Sequence, residues 1–290
     1  MHLAARGIRT PAAAAASLAL ALAFTWAAQA QDKTYVMKLG TATINDSQHE
    51  WCKRFAAMVE KDSGGRIRGE IYPASQLGPI PREIEGVQFG AIQGYIGPPE
   101  FAVGVDPRYE VVSAPGLIAN LAHGIRAASD PELQKMMLSL GADKGIHGAA
   151  LFVAQPSSVI ARDPIRHLAD FKGKKLRVLA AKYVTEANQT FIFSMAFLSK
   201  KWFDSLPKDL QTIVDTDAGK AAAEVNPWEA DFFEKQRQAW AQHGELISLP
   251  ANEQAEMMKS LAAVGTEVAK QKPEVERAYQ VFAAVAQRTK

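Results

Sequence analysis

The 290-residue chain contains one cysteine, Cys52. That excludes an intramolecular disulfide and a thiolate metal cluster. A lone cysteine is most often a small buried hydrophobe, and Cys52 lies beside the apolar stripe of a predicted helix. Histidine is scarce too: the six, at positions 2, 49, 123, 147, 167 and 243, show no metal-ligand spacing. His49-Glu50 begins like a zinc-protease helix, but Lys53 stands where the second histidine belongs. There is no G-x-S-x-G elbow, Walker loop or dinucleotide fingerprint. Asp215-x-Asp217-x-Gly219 lacks the third ligand and closing glutamate of a calcium loop, so it reads as a solvated helix face. Neither a catalytic motif nor a cofactor site is expected.

The chain also lacks an internal apolar run approaching the roughly eighteen residues a membrane helix needs. Its amino terminus is different. Arg6 and Arg9 precede the apolar run Ala12–Phe24, no acidic residue comes before Asp32, and Ala28-Gln29-Ala30 supplies a small-x-small site. This is the pattern of a secretory signal peptide over residues 1–30, cleaved after Ala30. Its apolar core is too short and too Ala-rich to anchor. Removing it leaves 260 residues with 31 basic and 31 acidic side chains, formally neutral. Neutrality without basic runs argues against nucleic acid or anionic membrane as a partner, and no direct membrane insertion of the mature chain is expected.

What is present is an alternation of strands and helices. Tyr35–Thr41 alternates as a strand; Asn45, Asp46 and Ser47 offer caps for a helix from about Gln48 to Lys61, with Trp51, Phe55, Met58 and Val59 on one face. Ile67–Tyr72 is a second strand, a helix with Ile84 and Val87 inward ends near Gly90, and Ala91–Ile96 is a third strand. That order implies a parallel sheet wrapped by helices. Further on come a helix opened by Asp130-Pro131 and stopped by Gly141, a strand at Ile146–Ala154, and a short one at Ser158–Ala161. A helical pattern from Pro207 to His243 should break near Pro227. "GELISLP" (Gly244–Pro250) gives a last strand, followed by helices around Glu253–Lys270 and Pro273–Gln287.

Several stretches then fall into a recognisable order: "KLGTATINDSQHEWCKRFAAMVEKDSGGRIRGEIYPASQLG", "REIEGVQFGAIQ", "SAPGL", "PIRHLADFKGKKLRV" and "SKKWFDSLPKDLQTIVDTDA". No single motif decides, but their order and spacing over most of the mature chain resemble the DctP-type solute-binding proteins of tripartite ATP-independent periplasmic (TRAP) transporters. The resemblance implies a two-lobed α/β periplasmic-binding-protein-like fold with mixed and parallel sheets and a hinge. It implies a non-enzymatic periplasmic receptor that captures a small organic acid and delivers it to membrane permease subunits. It also implies a role for Arg177, whose family counterpart pairs with the substrate carboxylate; a guanidinium fork matches a carboxylate through two parallel hydrogen bonds. Rival readings are a binding protein of an ATP-driven importer, an extracytoplasmic ligand sensor and, less favoured, a secreted hydrolase.

Other pocket candidates are His49, at a strand-to-helix transition where cleft residues gather or else a local cap, and Glu83, facing the cleft or, as the favoured reading, exposed on its helix. Gln155 and Arg162 are the only residues near the place of a second cleft arginine. Phe101 and Tyr109 could line the pocket but read more readily as core. After Leu179 the family continues with more second-lobe elements, whereas here "AKYVTEANQTF" follows at once. A parallel β-α-β crossover needs roughly 30 residues. The expectation is therefore a first lobe of residues 31–152 plus about 192–250, a shortened second lobe at 153–191, and C-terminal helices at 251–290.

Overall fold

The computed structural model describes residues 33–173 and 182–290, and its compact unit runs from Val36 to Lys290. β1 (Tyr35–Thr41) buries Met37 and Leu39 completely. α1 (Ser47–Asp62) starts where the Asp46 carboxylate accepts the His49 N–H, 3.1 Å away, satisfying one of the unpaired N–H groups of a helix end. Its apolar face buries Trp51, Phe55 and Val59 as the spacing predicts. β2 (Ile67–Tyr72) and α2 (Ile80–Phe89) follow. β3 is Gly94–Gly97 and not Ala91–Ile96, because the Ala91 and Ile92 N–H groups donate to the Gly86 carbonyl and close α2.

Two short helices, α3 (Leu121–Ala128) and α4 (Pro131–Ser139), lead into β4 (Ile146–Pro156). β7 (Phe191–Ser199), α5 (Lys200–Ser205) and α6 (Lys208–Ala241) come after the second sheet's first two strands. The five-stranded sheet has the order β2-β1-β3-β7-β4. β1 and β3 are parallel, and β7 is antiparallel to both β3 and β4. The sheet is thus mixed. Its core includes Tyr95, Tyr109, Phe193, Phe197 and Phe282, and Trp51 stacks on Phe55 and Phe152 with centroids 4.5 and 6.2 Å apart, joining α1 to β4.

α6 does not break at Pro227. It runs as one helix of 34 residues through the proline. Pro227 and Ala223, four residues earlier, are both exposed, so the carbonyl that loses its N–H partner faces water. Asp217, in the same helix, is buried and receives a 2.8 Å bond from Lys220, so the solvated face expected there is an inward one at that residue.

A three-stranded sheet comprises β5 (Val159–Ala161), β6 (Tyr183–Thr185) and β8 (Glu245–Ile247), in the order β5-β6-β8. β6 runs antiparallel to β5 and parallel to β8, so residues 245–247 belong with this sheet and not with the first lobe, where the 192–250 boundary put them. The direct crossings from β4 to β5 and from β6 to β7 are pinned: Ser157 N–H donates to Thr190 O at 2.9 Å, Gly116 N–H to Gln189 O at 3.0 Å, and Thr190 Oγ1 to Ser113 O at 3.1 Å. α7 (Ala251–Ala269) and α8 (Pro273–Arg288) complete the chain. No described helix is long and apolar enough to cross a membrane.

Candidate functional site

From β1 the chain passes through α1 to β2 on one side, and β3 then lies on the other side of β1. In open α/β sheets that reversal leaves a crevice at the carboxyl ends of the two central strands, where ligands bind. Here those ends are Thr41 and Gly97. Thr41 Oγ1 and Thr43 Oγ1 donate to Gln48 Oε1, at 3.2 and 3.3 Å. The same strand end is stitched to the turn after β2: the Ala74 N–H donates to Thr43 O at 3.2 Å and the Ser75 N–H to Thr41 O at 3.0 Å. Ala74 and Ser75 hold φ values of 54° and 56°, a left-handed conformation costly for residues with a Cβ. These hydrogen bonds over-determine it.

Beneath the strand ends lie acids to which no cation among the described residues bonds. Glu83 is fully buried and neither carboxyl oxygen completes a hydrogen bond, although the nearby Leu77 N–H opposes the rise in its pKa. Burial pushes the Glu83 carboxyl up to about 7. It lies against Gly40, where an added methyl would stand 2.8 Å from Oε2, so only glycine leaves it room. On β3 the Tyr95 hydroxyl is buried and unpartnered, with the Glu83 and Glu100 carboxyls acting on it. A methyl at Gly97 would be 2.1 Å from that hydroxyl. On α6, buried Glu229 is pushed up to about 8 by burial, while a contact from Ser47 at the start of α1 opposes the shift.

The expected site residues divide. His49 is buried at the start of α1; its Nδ1 accepts the Asn45 N–H at 3.1 Å, which places the ring proton on Nε2, and burial lowers its pKa. It is a local cap as well as a neighbour of the crevice. Glu83 is not the exposed helix residue favoured from sequence: with α2 beginning at Ile80, Glu83 falls on the inward face with Ile84 and Val87. Gln155 is exposed near the end of β4, and Arg162 is exposed beyond β5. Tyr109 is core, its hydroxyl donating to Leu140 O at 2.7 Å, whereas Phe101 is half exposed. Arg177 lies outside the described residues.

The structure also brings forward groups that the sequence reading missed. Tyr95 and Glu229 sit in patterns that read as ordinary strand and helix. Arg237 on α6 grips Glu186 with both arms, at 2.5 and 2.9 Å, beside a groove of about 320 Å³ that Pro156, Phe191 and Leu249 also line. A groove of about 780 Å³ lies elsewhere, between α3, α4, β4 and α6, and contains none of the expected ligand residues. Among the described residues no group of three or more His, Cys, Asp and Glu side chains could hold a metal.

The chain is thus a mixed α/β protein with two sheets and a strand reversal between β1 and β3. Its sequence matches the profile of the bacterial extracellular solute-binding proteins, family 7 (DctP), over residues 40–182 and 179–272. The chain belongs to that family. The two matched stretches meet at residues 179–182. It is similar to the C4-dicarboxylate-binding periplasmic protein DctP of Rhodobacter capsulatus, 30% identical over 135 residues, which is 44% of this chain and 39% of that protein. The chain spans between 38% and 58% of the length of the curated relatives it matches. In fold it is similar to a TRAP periplasmic solute-binding protein from Desulfovibrio salexigens with bound orotic acid, at a TM-score of 0.81 and 17% identity, covering 89% of this chain and all (100%) of that one. A second such structure, from Shewanella oneidensis with bound succinate, aligns at a TM-score of 0.76 and 16% identity over 87% of this chain and 99% of that one.

Proposed function

We propose that the mature chain is a periplasmic, non-enzymatic solute receptor that captures a small organic acid and hands it to the permease subunits of a TRAP-type transporter. The observation that carries this reading is the family match, which runs through elements of both sheets. Closure on the ligand is the working step: contacts to both lobes favour the closed state by their differential affinity. Arg177 supplies the carboxylate contact, and export follows cleavage after Ala30. The second lobe is shortened. Supporting this, the matched stretches meet at 179–182, and only eight residues separate Gly173 from Lys182, where a β-α-β crossover needs roughly 30.

The test is a thermal-shift screen of the chain from Gln31 to Lys290 against mono- and dicarboxylates, sugar acids and amino acids. A ligand at about 100 times its Kd adds roughly 2.7 kcal/mol. Arg177→Lys keeps the charge but loses the fork, so affinity falls about tenfold or more, roughly 1.4 kcal/mol. No shift with any acid removes the receptor reading, and equal affinities for the two proteins remove the role of Arg177.

A further inference from the structure

We propose that His49 and His123 form a paired acid switch: as neutral rings they latch the turn that leaves β1 and the segment that enters α3, and each latch opens when its ring takes up a second proton. The inference goes beyond the receptor reading above, because it concerns the chain without a solute.

The same hydrogen-bonded unit stands at the start of α1 and of α3. In each, an Asp or Asn side chain caps the helix by accepting the backbone N–H of the histidine three residues on. Asp46 Oδ1 accepts from His49 at 3.1 Å, and Asn120 Oδ1 from His123 at 2.9 Å. In each, the imidazole also turns back, and its Nδ1 accepts the N–H of the residue before the cap, Asn45 at 3.1 Å and Ala119 at 3.0 Å. Both rings are buried, whereas Asn45 and Ala119 are exposed. A ring fixed by packing thus holds a stretch of chain that borders water.

In a capping box a Glu or Gln stands at the histidine's position and reaches back to a free N–H. Histidine differs in one respect. A neutral imidazole accepts at one nitrogen, but an imidazolium carries N–H on both and accepts at neither. With Nδ1 accepting, the ring proton is on Nε2, and in His123 that N–H donates to Ala286 O on α8 at 2.8 Å. A second proton would set two donors against each other, so the latch must open.

The two latches hold different places. Asn45, with a φ of 58°, lies in the turn that leaves β1 at the crevice. Ala119 ends a segment that begins at Gly116, whose N–H donates to Gln189 O in the crossing from β6 to β7. Asn120 and Leu121 line the groove beside Glu186 and Arg237. Acid would therefore loosen the crevice rim and the crossing together.

Burial is the first cause that lowers the pKa of both rings. At His49 the Lys53 charge adds to it, while Asp46 and Glu50 draw the proton back. From α6, Glu229 meets the same helix start at Ser47. At His123 the Ala286 carbonyl favours the proton, whereas Arg126 on α3 and Lys290 beyond α8 repel it. The net direction is downward at both, so the switch works on the acid side of the ordinary histidine range.

The test is nuclear magnetic resonance on the chain from Gln31 to Lys290, with no solute, from pH 7.5 to pH 5. At pH 7.5 both rings should carry their proton on Nε2. As each ring is protonated, the amide signal of Asn45 or Ala119 should shift with the same midpoint. The Gly116 amide should lose about fivefold or more of its protection from exchange. The Glu132 and Leu133 amides, held by the Asp130 carboxylate at the start of α4 without a histidine, should not respond. His49→Gln and His123→Gln, whose amide oxygens accept without titrating, should each abolish the response at its own latch and leave the other. Rings that stay neutral to pH 5 overturn the inference, as do rings that titrate while Asn45 and Ala119 stay still. An equal response at Glu132 and Leu133 overturns it, as does a folded glutamine variant that keeps the response at its own latch. If a variant does not fold, the matched midpoints in the unaltered protein decide. None of these outcomes bears on the receptor reading, which the solute screen tests separately.

Discussion

Phe193, Phe197 and Phe282 are all but fully buried between the five-stranded sheet and its helices, with Phe193 and Phe282 meeting edge to face at 5.6 Å. Around the three-stranded sheet the buried apolar cluster is Ala187, Leu249 and Met257, with Val159, Leu168, Phe171 and Leu261 only partly covered. Polar ties take a larger share there. Arg166 grips Glu245, Arg237 grips Glu186, and Glu253 receives the Leu168 N–H. Apolar burial adds free energy in proportion to area, whereas exposed ion pairs add little. The two sheets therefore differ in how firmly they are held, and a receptor that opens and closes needs one lobe that keeps its shape while its contacts with the other change.

The sharpest test of that difference is truncation in each core. Phe282→Ala removes a ring from a fully enclosed site and should cost about 3–5 kcal/mol. Met257→Ala, at the edge of the smaller cluster, should cost about 2 kcal/mol. Urea unfolding followed by circular dichroism measures both, and a larger loss for Met257→Ala would reverse the comparison.

The next effect is set by pH and belongs to the first sheet and its neighbours. Glu83 and Glu229 have folded-state pKa values raised to about 7 and about 8 by burial. An acid with a raised folded pKa keeps its proton when folded and loses it near 4.5 when unfolded, so its stabilising share is complete below about 4.5 and is lost as pH rises to about 8. His49 and His123, whose pKa values burial lowers, act oppositely below 6.5. Comparison of variants separates the two. Glu83→Gln should gain on the order of 2 kcal/mol relative to the unaltered protein between pH 5 and pH 8. Parallel pH profiles for the two proteins would remove Glu83 from the titration.

These contrasts explain what could be read in advance. β1, α1 and β2 were legible because periodicity and caps agree, Asp46 marking the start of α1, and α2 was legible in its inward Ile84 and Val87 and its end at Gly90. Pro227 misled because a local rule about the lost N–H ignores where the freed carbonyl points. Glu83 misled because a charged side chain on an amphipathic helix normally faces water; nothing in the string reveals that Gly40, forty-three positions earlier, leaves a space for it. Tyr95 was missed for the same reason, since a tyrosine in a strand is ordinary until its neighbours are known. The family resemblance was legible because it rests on the order of many short motifs, which tolerates an error in any one of them.

A smaller effect is expected at the crossing between the sheets. Arg237, about one third exposed at its side chain, is paired with Glu186 and Glu234, and its pKa is raised by those two partners, Glu186 first. Partial exposure and screening limit what the pair contributes, so Arg237→Gln should cost about 1 kcal/mol or less. Hydrogen exchange is the better measurement. β6 amides should exchange faster in the variant while those of β1 and β3 do not change, and equal acceleration in both sheets would show that the crossing couples them.

The smallest expected effect lies at Arg166 and Glu245, which meet through two bonds, one of 2.9 Å, on the open surface beside β8. Each shifts the other in the direction that favours charge, Arg166 upward and Glu245 downward. Both side chains are nearly half exposed, and salt at 0.15 M screens exposed charges beyond about 8 Å while water competes for closer ones. Arg166→Gln should therefore leave the global unfolding midpoint where it is. What the pair can do is local. Glu245 opens β8, the edge strand next to β6, and a strand of three residues has few other bonds to hold it. In low salt, exchange of the β8 amides should be slower in the unaltered protein than in Arg166→Gln, and the difference should vanish in 1 M salt. The first sheet supplies the control, because its amides should exchange at the same rate in both proteins at either salt. A change in the global midpoint would mean that the smaller sheet unfolds only with the larger one, and that the two regions share a single stability after all.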